Sequence, residues 1–152
     1  SDLFPRLAGQ HWEYVAKQLD NFKSGKRKST AMADMAAKLT PDEMLALGRY
    51  FEKQTVISEP AKDAALAAVG SYIYQRGNPY SGVAACASCH GPGALGTTQW
   101  PRLAGQFAPY IEAQLKQFNL RERTNDNAVM HSIASKMTAL EMAAVAEYLA
   151  AK

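Results

Sequence analysis

Apolar positions along this chain recur three and four residues apart. Trp12, Val15, Leu19 and Phe22 fall on one face of a helix, and Ala108, Ile111, Leu115 and Phe118 repeat that arrangement. Thr40-Pro41-Asp42-Glu43 supplies an N-cap, a proline at the first helical position and a glutamate that closes a capping box. The helix it opens is expected to bury Met44, Leu47 and Phe51. Thr138 and Glu141 repeat the box ahead of Met142, Val145 and Leu149. A further helix is expected to begin near Pro60, with Leu66, Val69, Gly70 and Ile73 along one face, and to stop near Gly77-Asn78-Pro79. No segment alternates at the period of two that marks a strand, so the predicted fold class is all-α.

The pattern is written twice. Phe4-Pro5-Arg6-Leu7-Ala8-Gly9-Gln10 returns as Trp100-Pro101-Arg102-Leu103-Ala104-Gly105-Gln106. Downstream, Tyr14, Gln18, Leu19 and Phe22 fall opposite Tyr110, Gln114, Leu115 and Phe118. After a two-residue insertion in the second copy, Met32, Ala36, Lys38 and Thr40 meet Met130, Ala134, Lys136 and Thr138. Glu43, Met44 and Tyr50 then meet Glu141, Met142 and Tyr148. Self-similarity of this kind marks two copies of one structural unit. The linker lies within Gln54 to Ala61, where Thr55, Ser58, Glu59 and Pro60 break the helical pattern. The expected units are residues 1–56 and 57–152.

Composition narrows the function classes. A chain of 152 residues holds one ordinary domain or two small ones. The richest apolar run, Ala64 to Gly70, is too short to span a bilayer, and no basic-then-apolar leader stands at Ser1. The net charge of +3 is modest. Lys23, Lys26, Arg27 and Lys28 form one small basic cluster without interleaved aromatics, which reads as a solvated loop and argues against a nucleic-acid partner.

The chemistry is concentrated in Cys86-Ala87-Ser88-Cys89-His90. C-x-x-C-H spacing lets two thiols add to the two vinyl groups of one haem, with the adjoining histidine placed on the iron as fifth ligand. A zinc knuckle needs four ligands, and beyond the two cysteines the chain has only His11, His90 and His131, far apart in sequence. A redox dithiol is expected beside a βαβ pattern, which is missing here. Of the six methionines, Met44 and Met142 sit at helix-core spacing. Met130 lies in a stretch expected to be irregular, Asn125 to Ser132, and keeps a methionine partner, Met32, in the first copy, whereas Met137 faces Leu39. Met130 is therefore the expected sixth ligand, with Met137 and the neighbouring His131 as the competitors. His131 would give a bis-His haem of lower potential. No Ser-His-Asp, paired-carboxylate, P-loop or G-x-G-x-x-G pattern supports independent catalysis.

The order helix, haem motif, proline loop, helix, methionine segment, helix resembles a class I cytochrome c. With two copies and paired P-R-L-A-G-Q segments, the chain resembles the cytochrome c4 family of tandem two-haem carriers. The resemblance implies covalent haem c, export to the periplasm with a leader removed, and a proline-loop carbonyl, that of Pro101, accepting from the second ring nitrogen of His90. Arg102, with Tyr110 and Gln106, is a candidate to bind the haem propionates, and Trp100 to pack on the haem edge. One departure stands out: the first copy, as given, shows no C-x-x-C-H and no helix ahead of it. Two accounts fit, a front segment carrying a first haem or a one-haem variant with a degenerate first copy. A second haem is open only with such an upstream segment.

A haem whose two axial sites are filled by protein has no open position for substrate, so its chemistry is one-electron exchange. The expected role is an electron carrier between a quinol-oxidising complex or dehydrogenase and a terminal oxidase. The alternative is the cytochrome subunit of an oxidoreductase, such as a flavin-dependent sulfide dehydrogenase, associating with a membrane complex without a span of its own.

Overall fold

A computed structural model describes residues 4–152. Among the described residues eight helices follow one another: α1 (Trp12–Ser24), α2 (Thr30–Ala37), α3 (Pro41–Glu52), α4 (Ala64–Arg76), α5 (Ala87–His90), α6 (Ala108–Asn119), α7 (Val129–Ala134) and α8 (Ala139–Ala150). The fold is all-α. Among the described residues the only β-type pairing is an isolated antiparallel bridge between Asn78 and Val83. Helices α1, α2 and α3 pack together, as do their counterparts α6, α7 and α8, and α4 lies across α8.

Both capping boxes form as the sequence requires. Thr40 accepts from Glu43 N while Glu43 accepts from Thr40 N, and Thr138 and Glu141 do the same. The largest core belongs to the second copy, where Ile73, Tyr74, Ile111, Leu115, Phe118, Met137, Met142, Val145 and Leu149 are all buried.

Three expectations shift. Helix α4 begins at Ala64 rather than near Pro60, because the Asp63 side chain caps it by accepting from Leu66 N. Its buried face runs through Gly70, Ile73 and Tyr74, leaving Val69 49% exposed. A Cβ at Gly70 would land on the Ala144 carbonyl, so the closest approach of α4 to α8 selects the glycine and turns Val69 outward. The stretch around Met130, expected to be irregular, is the short helix α7. Its start uses Ala128 in the left-handed region and the Asp126 carboxylate, which accepts from Ala128 N and His131 N. The usual Ser/Thr cap signal is absent there.

The recurring P-R-L-A-G-Q segments do two jobs. Gly9 N donates to Phe51 O at 2.8 Å, and Gly105 N donates to Leu149 O at 2.9 Å, so each segment satisfies a carbonyl near the end of its own copy's last helix. Both glycines have positive φ, and a Cβ on either would meet a methyl of Val56. The glutamines reach across. Gln10 accepts from Arg102 N at 2.8 Å and donates to Arg102 O at 3.0 Å; Gln106 accepts from Arg6 N at 2.7 Å and donates to Arg6 O at 2.9 Å. Two copies thus clasp each other's backbone through one reciprocal device.

Arg27 and Arg123, related by the repeat, extend that interface. Arg27 donates to Tyr110 and Gln114 of the other copy and to Gln18 of its own; Arg123 donates to Tyr14 and Gln18 of the other copy and to Gln114 of its own. Arg27 is therefore half-buried rather than part of a solvated basic loop. Its planar fork finds acceptors at the interface that an ammonium would match less well. Burial lowers the Arg27 pKa, and the neighbouring charge of Arg123 lowers it further. Burial opposes the phenolate of Tyr14, yet the charges of Arg123 and Arg27 outweigh it and lower the Tyr14 pKa.

Candidate haem site

Cys86 stands at the N-cap of α5, and Cys89 and His90 lie on the same turn, with His90 N donating to Cys86 O at 3.0 Å. One helical turn therefore carries both thiols and the imidazole. Both cysteines are free; Cys86 is half-buried and Cys89 exposed. Burial pushes the Cys86 thiol up to about 11. That direction is opposite to the lowered thiol pKa on which redox-active dithiols rely.

His90 is 6% exposed, and its Nδ1 lies 3.0 Å from the carbonyl oxygen of Pro101. A carbonyl can only accept, so Nδ1 carries the proton and the lone pair is on Nε2. Burial lowers the His90 pKa, and the bond to Pro101 partly offsets it. This buried neutral imidazole, with one nitrogen fixed and the other free, suits iron ligation. The residues present fit a covalent haem.

The loop between His90 and Pro101 is held from several sides. Gly96 N donates to His90 O at 2.9 Å, Thr97 N to Trp100 O at 2.8 Å, and Leu103 N and Ala104 N both to Ala94 O. A Cβ at Gly96 would collide with the backbone of Trp100 to Arg102, so this turn needs a glycine. Helix α4 contributes Tyr74, fully buried, whose hydroxyl donates to Gly91 O at 2.6 Å, and Gln75, which donates to Pro92 O at 2.9 Å. Burial raises the Tyr74 pKa well above the tyrosine range. Tyr74 and Gln75 were not picked out by the sequence reading. Periodicity alone cannot tell a tyrosine that holds the haem loop from one that fills the core.

Met130 is half-buried on α7 and packs against the second copy's core. Met137 is 7% exposed and belongs to that core. The Nδ1 of His131 lies 2.9 Å from Phe118 O, which ties its ring back to the end of α6. Arg102 is half-buried, and its Nε donates to Ala104 O at 3.1 Å; burial lowers its pKa. Tyr110 and Gln106, suggested beside Arg102 as propionate ligands, are spent differently: the Tyr110 hydroxyl accepts from Arg27 and the Gln106 amide clasps Arg6. The interface claims both. Trp100 is half-buried beside the loop.

An all-helical unit with a C-x-x-C-H turn, a buried histidine anchored by a proline-loop carbonyl and a methionine ahead of the last helix defines a c-type cytochrome. A family profile for cytochrome c matches residues 74–151. The chain is 42% identical over 151 residues to cytochrome c4 of Thiocapsa roseopersicina, covering 97% of this chain and 78% of that one. It is 40% identical to a thiosulfate dehydrogenase electron acceptor of Thiomonas intermedia (strain K12), covering 98% and 70%. Among solved structures, reduced recombinant cytochrome c4 from Pseudomonas stutzeri superposes with a TM-score of 0.94 at 32% identity, covering 99% of this chain and 86% of that one.

The chain belongs to the cytochrome c4 family. It is a haem c protein and an electron carrier rather than an enzyme, with Cys86 and Cys89 spaced for the covalent attachment.

Proposed function

We propose that the haem is attached through Cys86 and Cys89 and ligated by His90 and Met130, and that the chain passes single electrons in the periplasm. In this reading it accepts them from a quinol-oxidising complex or dehydrogenase and delivers them to a terminal oxidase. The observation that carries the reading is the 3.0 Å contact from His90 Nδ1 to Pro101 O, which leaves Nε2 as the iron-facing nitrogen. Bound haem would supply a ferric/ferrous couple; the chain would supply the ligands, with Pro101 O holding the ring of His90 and Tyr74 and Ala94 O holding the loop that carries it. Arg102 is assigned to the propionates on the strength of its half-buried guanidinium, whose Nε donates to Ala104 O and whose terminal nitrogens make no hydrogen bond among the described residues.

The units proposed are 1–56 and 57–152. In the second, α8 buries Ala144 and Val145 under α4; their counterparts on α3 are Ala46, exposed, and Leu47, half-buried. Tyr50 there is 59% exposed, and Leu39, Ala46, Leu47 and Tyr50 line an open apolar hollow. A helix of the α4 kind with its own C-x-x-C-H would cover that face and add a second haem.

A second reading makes the chain the electron-accepting subunit of a sulfur-oxidising enzyme. It is favoured by the thiosulfate dehydrogenase electron acceptor of Thiomonas intermedia and by a thiosulfate dehydrogenase structure from Marichromatium purpuratum, matched with a TM-score of 0.86 at 33% identity over 96% of this chain and 32% of that one. Stopped-flow reduction of the ferric protein, with gel filtration of the mixture, decides between them. The carrier reading expects reduction by a separate donor at a rate that rises with its concentration and no stable complex; a stoichiometric complex with a thiosulfate dehydrogenase, reduced at a concentration-independent rate, would transfer the assignment to the second reading.

A further inference from the structure

Away from the haem site, His11, Glu13 and Glu52 converge where α1 begins and α3 ends. One ring nitrogen of His11 and one carboxylate oxygen from each glutamate lie within 4.8 Å of one another, and all three residues are half-buried. The Nε2 of His11 lies 2.8 Å from Leu95 O, in the loop that follows the haem motif. A carbonyl acceptor there puts the proton on Nε2 and leaves the Nδ1 lone pair free, the second-nitrogen arrangement that metal-bound histidines adopt. The Oε2 of Glu13 is shut off from solvent and has no hydrogen-bond donor. A buried carboxylate oxygen without a donor is costly, and a cation removes the cost. Glu52 is only lightly engaged: one oxygen accepts from Trp12 N at 3.3 Å and the other pairs with Arg49 at 3.7 Å. A partly exposed pair of that kind holds its partners weakly.

The cluster is not part of the inherited repeat. Phe107, Pro109 and Ala150 occupy the corresponding places in the second copy, where the Arg6 guanidinium stacks on Phe107 at 4.4 Å. The same scaffold position thus carries an apolar surface in one copy and an imidazole with two carboxylates in the other.

We propose that His11, Glu13 and Glu52 bind a divalent transition cation of the zinc type. One imidazole nitrogen and two carboxylate oxygens match the borderline donor preference of zinc, and water completes the shell. The imidazole argues against magnesium or calcium, which take all-oxygen sets. Bonds of about 2.0–2.2 Å place tetrahedral ligands roughly 3.3 Å apart, so small side-chain rotations close the site. The bound ion fastens the start of α1 to the end of α3 and, through His11 and Leu95, steadies the haem loop of the other copy.

The test uses haem-loaded protein dialysed against a chelator and titrated with zinc by calorimetry. One ion per chain is expected, with affinity at least about tenfold weaker in Glu13→Gln and in Glu52→Gln. Glu122→Gln, at an exposed position away from the cluster, should bind as the parent does. Zinc should raise the unfolding temperature of the parent and leave Glu13→Gln unmoved. Both glutamine variants are isosteric, and an unchanged haem spectrum verifies their fold. No stoichiometric binding, or binding that both variants retain at full strength, overturns the proposal.

Discussion

The imidazole of His90 is buried, neutral and held at one nitrogen, and in the proposed ligation Met130 is the sixth ligand opposite it. With Met130 as that ligand, Met130→Ala should abolish the weak near-infrared sulfur-to-iron band of the ferric protein. Met137→Ala should keep the band and instead lower stability by about 2–5 kcal/mol, the cost of truncating a buried core side chain. Near-infrared absorption combined with chemical denaturation checks both, and the reverse pattern would move the ligand to Met137. Glu141 adds a pH dependence. Burial works against its carboxylate, but hydrogen bonds from Asn78 and Thr138 prevail and lower its pKa. A depressed carboxylate contributes stability above its unfolded pKa and loses it as pH falls through the folded value. Glu141→Gln should therefore flatten the acid limb of the stability curve below about pH 4.5, measured by thermal unfolding across pH. The turn that carries Cys86, Cys89 and His90 was legible in the sequence because C-x-x-C-H is one contiguous run. Arg27 was not: a basic run says nothing about which of its members turns inward, and only its offset match to Arg123 carried the signal.

Among the elements, helices α1, α3, α6 and α8 follow from apolar spacing and capping boxes, which are local and so survive translation into structure. Faces are harder to read than helices. Whether Val69 or Gly70 points inward on α4 depends on how closely α8 approaches, a tertiary fact that periodicity does not contain. Gly70→Ala should push the two helices apart and cost about 1–3 kcal/mol or more, read as a lower denaturation midpoint with the haem still attached. Helix α7 was missed for a related reason, since its cap comes from a backbone turn and Asp126 rather than from a capping residue at the expected place. The open face of α3 yields a further expectation. Residues 1–54 expressed alone should unfold without cooperativity, and fusion to an upstream α4-like helix with C-x-x-C-H should restore a sharp transition in circular dichroism. A fragment that folds cooperatively as a haem-free monomer would contradict that reading.

At the scale of the whole molecule, two copies are joined by polar clasps. Gln10 and Gln106 bond backbone groups, while the Arg27 and Arg123 forks satisfy tyrosines and amides from both copies. Such networks are high-stakes, because removing one member leaves its partners buried and unpaired. Gln10→Ala should cost roughly 1–3 kcal/mol and, combined with Gln106→Ala, split calorimetric unfolding into two transitions as the copies uncouple. The repeat itself was plain in the sequence; that its shared glutamines and arginines reach across it was not, since identity between copies does not say which copy a side chain serves. In the proposed reading the haem is held between His90 and Met130 and exchanges electrons without binding substrate. Exposure of the ferrous protein to carbon monoxide tests this most directly. With His90 and Met130 both on the iron, the Soret band should stay unchanged at equilibrium. A rapid shift to a carbonyl-haem spectrum would reveal an open axial site and contradict the electron-carrier account.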